Sequence, residues 1–177
     1  ACNSASAAAY ELVREYVGSK AKVINVIDPV VEYLANTYPE KTIGLIGTKQ
    51  TVNSNIYRKK IDATDKGITL KSLATPLLAP MIEEGFFNNN ISESIIQAYL
   101  RHSELEGIEA LILGCTHYPL IKTQIENYYQ GKVSVLDTSE IVANSLKNYL
   151  SNNNILCSMN SHIKHFYVSD YTASFET

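Results

Sequence analysis

The sequence predicts an α/β fold whose sheet is mostly parallel. Two observations indicate this: short runs of β-branched and other apolar residues recur along the chain, and stretches with helical spacing separate them. Residues 43–46 and 110–113 are apolar almost throughout, which is typical of strands buried on both faces of a parallel sheet. With 177 residues, the chain has room for one domain or two small lobes.

The apolar runs give the predicted strands in chain order. They are residues 23–27, 42–47, 68–73, 110–114, 133–137 and 166–168. In a parallel sheet the chemistry collects where strands end at their carboxyl edge. We therefore expect functional residues directly after Gly47, directly after Gly114, and at the very start of the chain if a strand precedes Ala1.

The stretches between these runs predict helices. A first helix is expected to open on the small residues 5–9, and Pro29 and Pro119 stand where proline suits a first helical turn. Two later helices are indicated by residues, mostly apolar, that recur three to four positions apart: Ile95, Ile96, Tyr99, Leu100 and Leu105, and then Ile141, Val142, Ser145, Leu146, Tyr149 and Leu150. The asparagine-rich segments 88–90 and 152–154 are expected at loops or helix ends.

Composition excludes several classes of protein. The net charge is −3 and no lysine- or arginine-rich run occurs, so neither nucleic acid nor a membrane surface is an expected partner. No apolar stretch is long enough for a transmembrane helix. The three widely spaced cysteines favour a reducing cytoplasm over a disulfide framework. His162 and His165 follow Cys157 without the spacing of a metal site, and Cys157 is expected to be a buried or half-buried structural thiol.

The segment 44–51 contains two glycines, a lysine and two threonines but lacks the spacing of a phosphate-binding loop. Two interpretations stay open for it. In the first, Thr48 caps a helix that follows the strand. In the second, the helix start and its threonine hydroxyls bind a carboxylate.

Cys2 and Cys115 stand in matching contexts, each at the expected junction of a strand and a helix. Cys2 is followed by Asn3 and Ser4, and Cys115 by Thr116 and His117. A helix start and a nearby imidazole can lower the pKa of a thiol. Two such thiols facing each other could form a disulfide, or could act as an acid/base pair that inverts a stereocentre without a cofactor.

At these residues the chain resembles the glutamate racemase family, within the aspartate/glutamate racemase superfamily. The motif A-C-N-[ST]-A-S-A is similar to residues 1–7, and the long motif L-G-C-T-H-Y-P-L corresponds to residues 113–120. Further similarity lies in residues 43–48 with Thr51, 76–80 and 83–85. The resemblance implies two α/β lobes, an active site in the cleft between them, and racemisation of L- and D-glutamate that supplies D-glutamate for peptidoglycan.

The resemblance also implies roles for single residues. Cys2 and Cys115 would be the two acid/base thiols, with His117 and Glu83 assisting proton handling or holding the substrate amine. The substrate would be bound by Asn3, Ser4, Thr48, Thr51 and Thr116. No cofactor and no metal are expected, and the partners would be glutamate and, as an option, a second copy of the chain in a homodimer. The expected location is the bacterial cytoplasm.

The family carries a further N-terminal segment that this sequence lacks. The implied division places residues 1–28 and 138–177 in the remainder of the first lobe and residues 29–137 in the second. The chain as given is expected to be inactive, although its longer parent would be active. Two alternatives are a non-catalytic truncated fragment and a superfamily racemase for another amino acid such as aspartate; histidine at position 117 favours glutamate over aspartate.

Overall fold

A computed structural model describes residues 2–157 of the chain. It contains one parallel sheet with helices on both faces, which confirms the predicted fold class. In chain order the elements are α1 (Asn3–Val17), α2 (Asp28–Thr37), β1 (Thr42–Gly47), α3 (Lys49–Asn53), α4 (Ile56–Asp62), β2 (Thr69–Ala74), α5 (Leu78–Glu83), α6 (Asn90–Leu100), β3 (Ala110–Gly114), α7 (Lys122–Tyr129), β4 (Ser134–Leu136) and α8 (Thr138–Asn152). Short 3₁₀ segments cover Ser103–Leu105 and Tyr118–Ile121.

The four strands lie in the order β2-β1-β3-β4, and all neighbours are parallel. Strands β1 and β3 occupy the predicted residues, while β2 is shifted by one position and β4 is shorter by one residue at each end. In the register of the central pair, Gly47 lies opposite Gly114, and Gly47 also lies opposite Ala74. The carboxyl ends of three strands therefore meet at one edge of the sheet.

Alternate residues of the strands pack into two separate hydrophobic cores on opposite faces of the sheet. Ile43 and Leu45 of β1 face the core formed with α2 and α4, whereas Ile46 faces the core formed with α5, α6 and α7. Leu111 and Leu113 of β3 join the second core, and Ala110 and Ile112 the first. Because both faces are covered, the central strands are apolar throughout, as expected of a parallel sheet.

Several helix ends follow the sequence signals. Pro29 occupies the first turn of α2, and Pro119 the first turn of the 3₁₀ segment that follows β3. Asn89 caps α6 with a capping box, as expected for the segment 88–90. The Asp137 side chain caps α8 by accepting from the Ser139 amide, and α8 includes all six residues of the predicted helical pattern.

Two predicted elements are wrong. Residues 23–27 form no strand: the Asn25 side chain accepts from the amides of Ile27 and Asp28 instead, which starts α2. The predicted helix through Leu105 ends earlier, because His102 is extended and accepts from the Glu104 amide through its ring nitrogen. Leu105 still enters the core from its 3₁₀ segment.

The predicted strand 166–168 lies outside the described residues, and so do His162 and His165. Within residues 2–157, no helix has the length and apolar character needed to cross a membrane.

Candidate functional site

The residues singled out in the sequence gather at the carboxyl edge of the sheet. Thr48 follows β1, and Cys115 follows β3. The start of α1 lies against the same edge, since the Ser4 hydroxyl contacts the Thr48 hydroxyl at 2.7 Å. Residues that are 44 positions apart in the chain are thereby brought into one site.

Three hydroxyl groups form a cluster at this edge, which we call the hydroxyl cluster: Ser4, Thr48 and Thr51. Ser4 Oγ lies 2.7 Å from Thr48 Oγ1 and 3.3 Å from Thr51 Oγ1, and the two threonine oxygens are 3.1 Å apart. Thr48 also caps α3 by accepting from the Thr51 amide. Capping is therefore confirmed, while carboxylate binding by the same helix start stays a prediction.

Asn3 is buried at the first position of α1, only 1% exposed. Its Oδ1 accepts from the Tyr57 hydroxyl at 2.7 Å. Its Nδ2 has no hydrogen-bond partner among the described residues. A buried amide nitrogen without a partner costs free energy. The Nδ2 of Asn3, which lies between Cys2 and Ser4 in the chain, is therefore a donor that a ligand could satisfy.

Three side chains contact one another in a row from the protein interior to the surface: Cys115, His117 and Glu83. The thiol is buried, and its Sγ lies 3.5 Å from Nδ1 of His117. Nε2 of His117 lies 3.1 Å from Oε1 of Glu83, the last residue of α5. If Nε2 donates its hydrogen to Glu83, Nδ1 is left as an acceptor for the thiol proton.

The environment of Cys115 opposes ionisation. Burial raises the pKa of the thiol most strongly, and Cys2 and Glu83 raise this pKa further. The backbone amides of His117 and Thr116 donate to the sulfur and lower its pKa, but the net direction is upward. At Cys115 burial therefore outweighs the two amides, and the pKa of this thiol is raised although a helix start and an imidazole lie beside it.

Cys2 is half-buried and occupies the cap position of α1. Cys2 stands two residues before Ser4, whose hydroxyl contacts Thr48 directly after β1. Cys115 directly follows Gly114, which lies opposite Gly47, so both thiols lie at the same edge of the sheet. Both are free thiols, as the acid/base alternative requires.

The side chain of Thr116, a predicted substrate-binding residue, does not join the buried site. Thr116 is exposed on the turn after β3. Cys157 is exposed, not buried or half-buried as the apolar run had suggested, because Ile155 and Leu156 are themselves 59% and 46% exposed beyond the end of α8. Among residues 2–157 no group of three His, Cys, Asp or Glu side chains could hold a metal ion.

Two buried tyrosines near the site were missed in the sequence. Tyr57 reaches Asn3, as described above. The Tyr118 hydroxyl bonds the Thr75 hydroxyl at 2.7 Å, and Thr75 donates in turn to the Gly47 carbonyl. This links the turn that carries Cys115 to the ends of β1 and β2. Tyr118 belongs to the quoted motif, but Tyr57 shares its helical spacing with the core residue Ile61, so the pattern predicts only packing.

The arrangement combines proton-transfer groups with donors for an anion. Two thiols and an imidazole–carboxylate pair can move protons, and the hydroxyl cluster with the free Asn3 amide can hold a polar, negatively charged ligand. This is suited to proton chemistry on a small acidic molecule.

Comparison with known proteins agrees with this chemistry. The family model described as Asp/Glu/Hydantoin racemase matches residues 1–146. The chain belongs to this family. Glutamate racemase from Aquifex aeolicus is 40% identical over 154 residues, which cover 86% of this chain and 58% of the relative. The Sulfurihydrogenibium enzyme of the same name is 37% identical over 84% of this chain and 56% of its own length.

Solved structures of the family share the fold. Glutamate racemase from Francisella tularensis, crystallised in complex with D-glutamate, is 36% identical and superimposes with a TM-score of 0.86. That match covers 98% of this chain and 64% of the Francisella chain. The chain thus spans somewhat more than half the length of the curated relatives given above.

Proposed function

We propose that this chain carries the two catalytic cysteines of a glutamate racemase, which interconverts L- and D-glutamate without a cofactor. The proposal is carried by the grouping of Cys2 and Cys115 at one sheet edge beside the hydroxyl cluster. It is supported by relatives named glutamate racemase at 37–40% identity. In this proposal the product D-glutamate serves peptidoglycan synthesis in a bacterial cytoplasm.

The proposed reaction uses the two thiols in turn. One cysteine, as the thiolate, takes the Cα proton, so that a C–H bond breaks and an S–H bond forms. The other cysteine, as the thiol, gives its proton to the opposite face of Cα, and its thiolate remains. The raised pKa of Cys115 favours its proton-donating form, and transfer of that proton to Nδ1 of His117 would generate the base.

The substrate is proposed from the site and from the relatives. The hydroxyl cluster and the Asn3 amide supply donors for carboxylate groups, and the similar Francisella structure is in complex with D-glutamate. In the proposed two-lobe arrangement, residues 1–28 and 138–177 belong to one lobe and residues 29–137 to the other.

Deuterium uptake tests the proposal directly. A longer protein that contains this chain is incubated in D₂O with L-glutamate or D-glutamate, because the chain as given is expected to be inactive, and exchange at Cα is followed by proton NMR together with optical rotation. Exchange from both enantiomers, with much slower exchange from both enantiomers of aspartate, is the expected result. Preference for aspartate would favour the aspartate alternative, and absence of exchange from every substrate would favour a non-catalytic fragment.

Matched cysteine variants test which thiols take part in racemisation. Cys115→Ser is expected to lower racemisation by about 100-fold or more, because a hydroxyl is a far weaker acid than a thiol at neutral pH. Cys157→Ser, which changes an exposed thiol outside the site, should leave the rate unchanged. Racemisation by Cys115→Ser at the unmodified rate would contradict the two-thiol mechanism.

A further inference from the structure

The contact between Tyr57 and Asn3 is a buried polar contact of the site. The Tyr57 side chain is 1% exposed, and its hydroxyl donates to Asn3 Oδ1 at 2.7 Å. Burial raises the pKa of the phenol well above its usual value, so the hydroxyl keeps its hydrogen at neutral pH. A buried phenol that carries its proton is a fixed hydrogen-bond donor.

The helix that carries Tyr57 is firmly attached to the rest of the molecule. Tyr57 and Ile61 lie on one face of α4 and pack in the core beneath the sheet. Arg58 donates to the Leu70 carbonyl of β2 at 2.6 Å, and Lys60 pairs with Asp28 of α2 at 2.7 Å. The position of the Tyr57 hydroxyl is thus set by contacts that do not depend on a ligand.

This contact decides which end of the Asn3 amide is free. A side-chain amide has an oxygen that accepts and a nitrogen that donates two hydrogens. Because Tyr57 occupies the oxygen, the buried Nδ2 is the end left without a partner. Without the Tyr57 hydroxyl, the Asn3 amide could adopt either of two flipped orientations. One of them would place the amide oxygen, which is an acceptor, toward the carboxylate of a ligand.

We propose that Tyr57 is a positioning residue of the site, which holds the Asn3 amide with its nitrogen available to donate to an oxygen of an anionic ligand. This inference rests on the proposed function for the identity of that ligand as glutamate. Tyr57 itself does not touch the reacting atoms. It acts only through Asn3, and this makes its effect distinguishable from a general loss of packing.

A double-mutant cycle tests this role on the full chain. Binding of D-glutamate is measured by calorimetry for the unmodified protein, Tyr57→Phe, Asn3→Ala and the double variant. Tyr57→Phe keeps the ring and removes the hydroxyl, and it is expected to weaken binding about tenfold, the usual effect of disturbing one buried hydrogen bond. In the Asn3→Ala background, Tyr57→Phe should change the affinity less than twofold, because the hydroxyl no longer has an amide to orient.

Tyr129→Phe is the matched control. The Tyr129 hydroxyl is also buried, but it has no hydrogen-bond partner among the described residues and lies against the other core. Its removal should leave D-glutamate affinity unchanged. An equal loss of affinity in Tyr129→Phe and Tyr57→Phe would overturn the inference, because the effect would then be one of core packing.

A second measurement covers the case in which Tyr57→Phe does not fold. In protein labelled with ¹⁵N-asparagine, the Nδ2 hydrogens of Asn3 are assigned by their absence in Asn3→Ser. D-Glutamate should shift these resonances in the unmodified protein, and no shift would overturn the inference. Failure of the unmodified chain to bind D-glutamate would overturn the proposed function and the inference with it. Binding combined with additive effects in the cycle would overturn the inference alone.

Discussion

At Cys115, opposing influences act on one sulfur atom. Burial raises the pKa of the thiol, whereas the amides of His117 and Thr116 lower it. Since the pKa is raised overall, the thiolate is a minor form at neutral pH and grows as the pH rises. We expect iodoacetamide to modify Cys115 more slowly than the exposed Cys157 at pH 7, with the Cys115 rate still increasing above pH 9.

Timed alkylation followed by peptide mapping checks this order of reactivity. D-Glutamate should slow the modification of Cys2 and Cys115 and leave Cys157, which is exposed and outside the site, as the internal control. Faster labelling of Cys115 than of Cys157 at pH 7 would contradict the raised pKa of Cys115.

Single residues of the site were predictable where a motif names them and unpredictable where folding alone joins them. Thr48 could be assigned as a helix cap because a threonine directly follows a buried strand, and its cap is present. The contact of Ser4 with Thr48 spans 44 positions, and no local pattern contains it. Tyr57 has the spacing of a core residue, so its polar contact with Asn3 has no signal in the sequence.

Among the helices, α6 offers a clean test of capping. The Asn89 side chain accepts from the amides of Ile91 and Ser92, and the Ser92 hydroxyl accepts in turn from the Asn89 amide. Asn89→Ala should lower the free energy of unfolding by about 1 kcal/mol. Asn90→Ala, one position inside the helix, should change it by less than about 0.5 kcal/mol.

Urea denaturation followed by circular dichroism measures both variants. Because α6 contributes no residue to the hydroxyl cluster or to either thiol, D-glutamate binding should be the same for both. Equal stabilities of Asn89→Ala and Asn90→Ala would mean that the capping box contributes nothing to folding.

In the sheet, two glycines allow close packing of β1 against β3. A Cβ at Gly114 would lie 2.8 Å from the Ile46 carbonyl oxygen and 2.6 Å from a Leu45 methyl group. A Cβ at Gly44 would meet only the ends of the Ile108 and Leu111 side chains, which can rotate away. Gly114→Ala should therefore destabilise the protein by about 3 kcal/mol, and Gly44→Ala by about 1 kcal/mol.

The free energies of unfolding in urea give the comparison between these two variants. A smaller loss in Gly114→Ala than in Gly44→Ala would show that the backbone of β1 shifts more easily than the side chains do. Since Cys115 follows Gly114 directly, Gly114→Ala should also alter the alkylation rate of Cys115.

Elements were predictable from sequence where burial makes the pattern unambiguous. Strands β1 and β3 are covered on both faces, and their apolar runs coincide with the observed strands. The run 23–27 is equally apolar, but Asn25 within it uses its side chain to start α2. An apolar run shows that a segment can be buried, whereas pairing depends on whether a neighbouring strand is available to it.

At the scale of the whole molecule, the same layered packing that forms the site also buries the hydroxyl groups of several tyrosines. Among residues 2–157, three tyrosines have pKa values that burial raises. They are Tyr57, Tyr118 and Tyr129, and for Tyr129 burial raises the pKa to about 12. In the unfolded chain all three would ionise near pH ~10.

This difference fixes the sign of the alkaline response. Above pH ~10 the unfolded chain releases phenol protons that the folded protein retains, so the stability due to these groups is full below that pH and is lost as the pH rises toward the folded pKa values. Tyr129→Phe removes one such group without removing a hydrogen bond, so it should make stability fall less steeply between pH 10 and 11. Tyr16→Phe, at a residue that is 90% exposed, is the control and should not change the slope. Urea unfolding across this range, with absorbance at 295 nm reporting phenolate, measures both, and equal slopes for the two variants would contradict the burial of the Tyr129 hydroxyl.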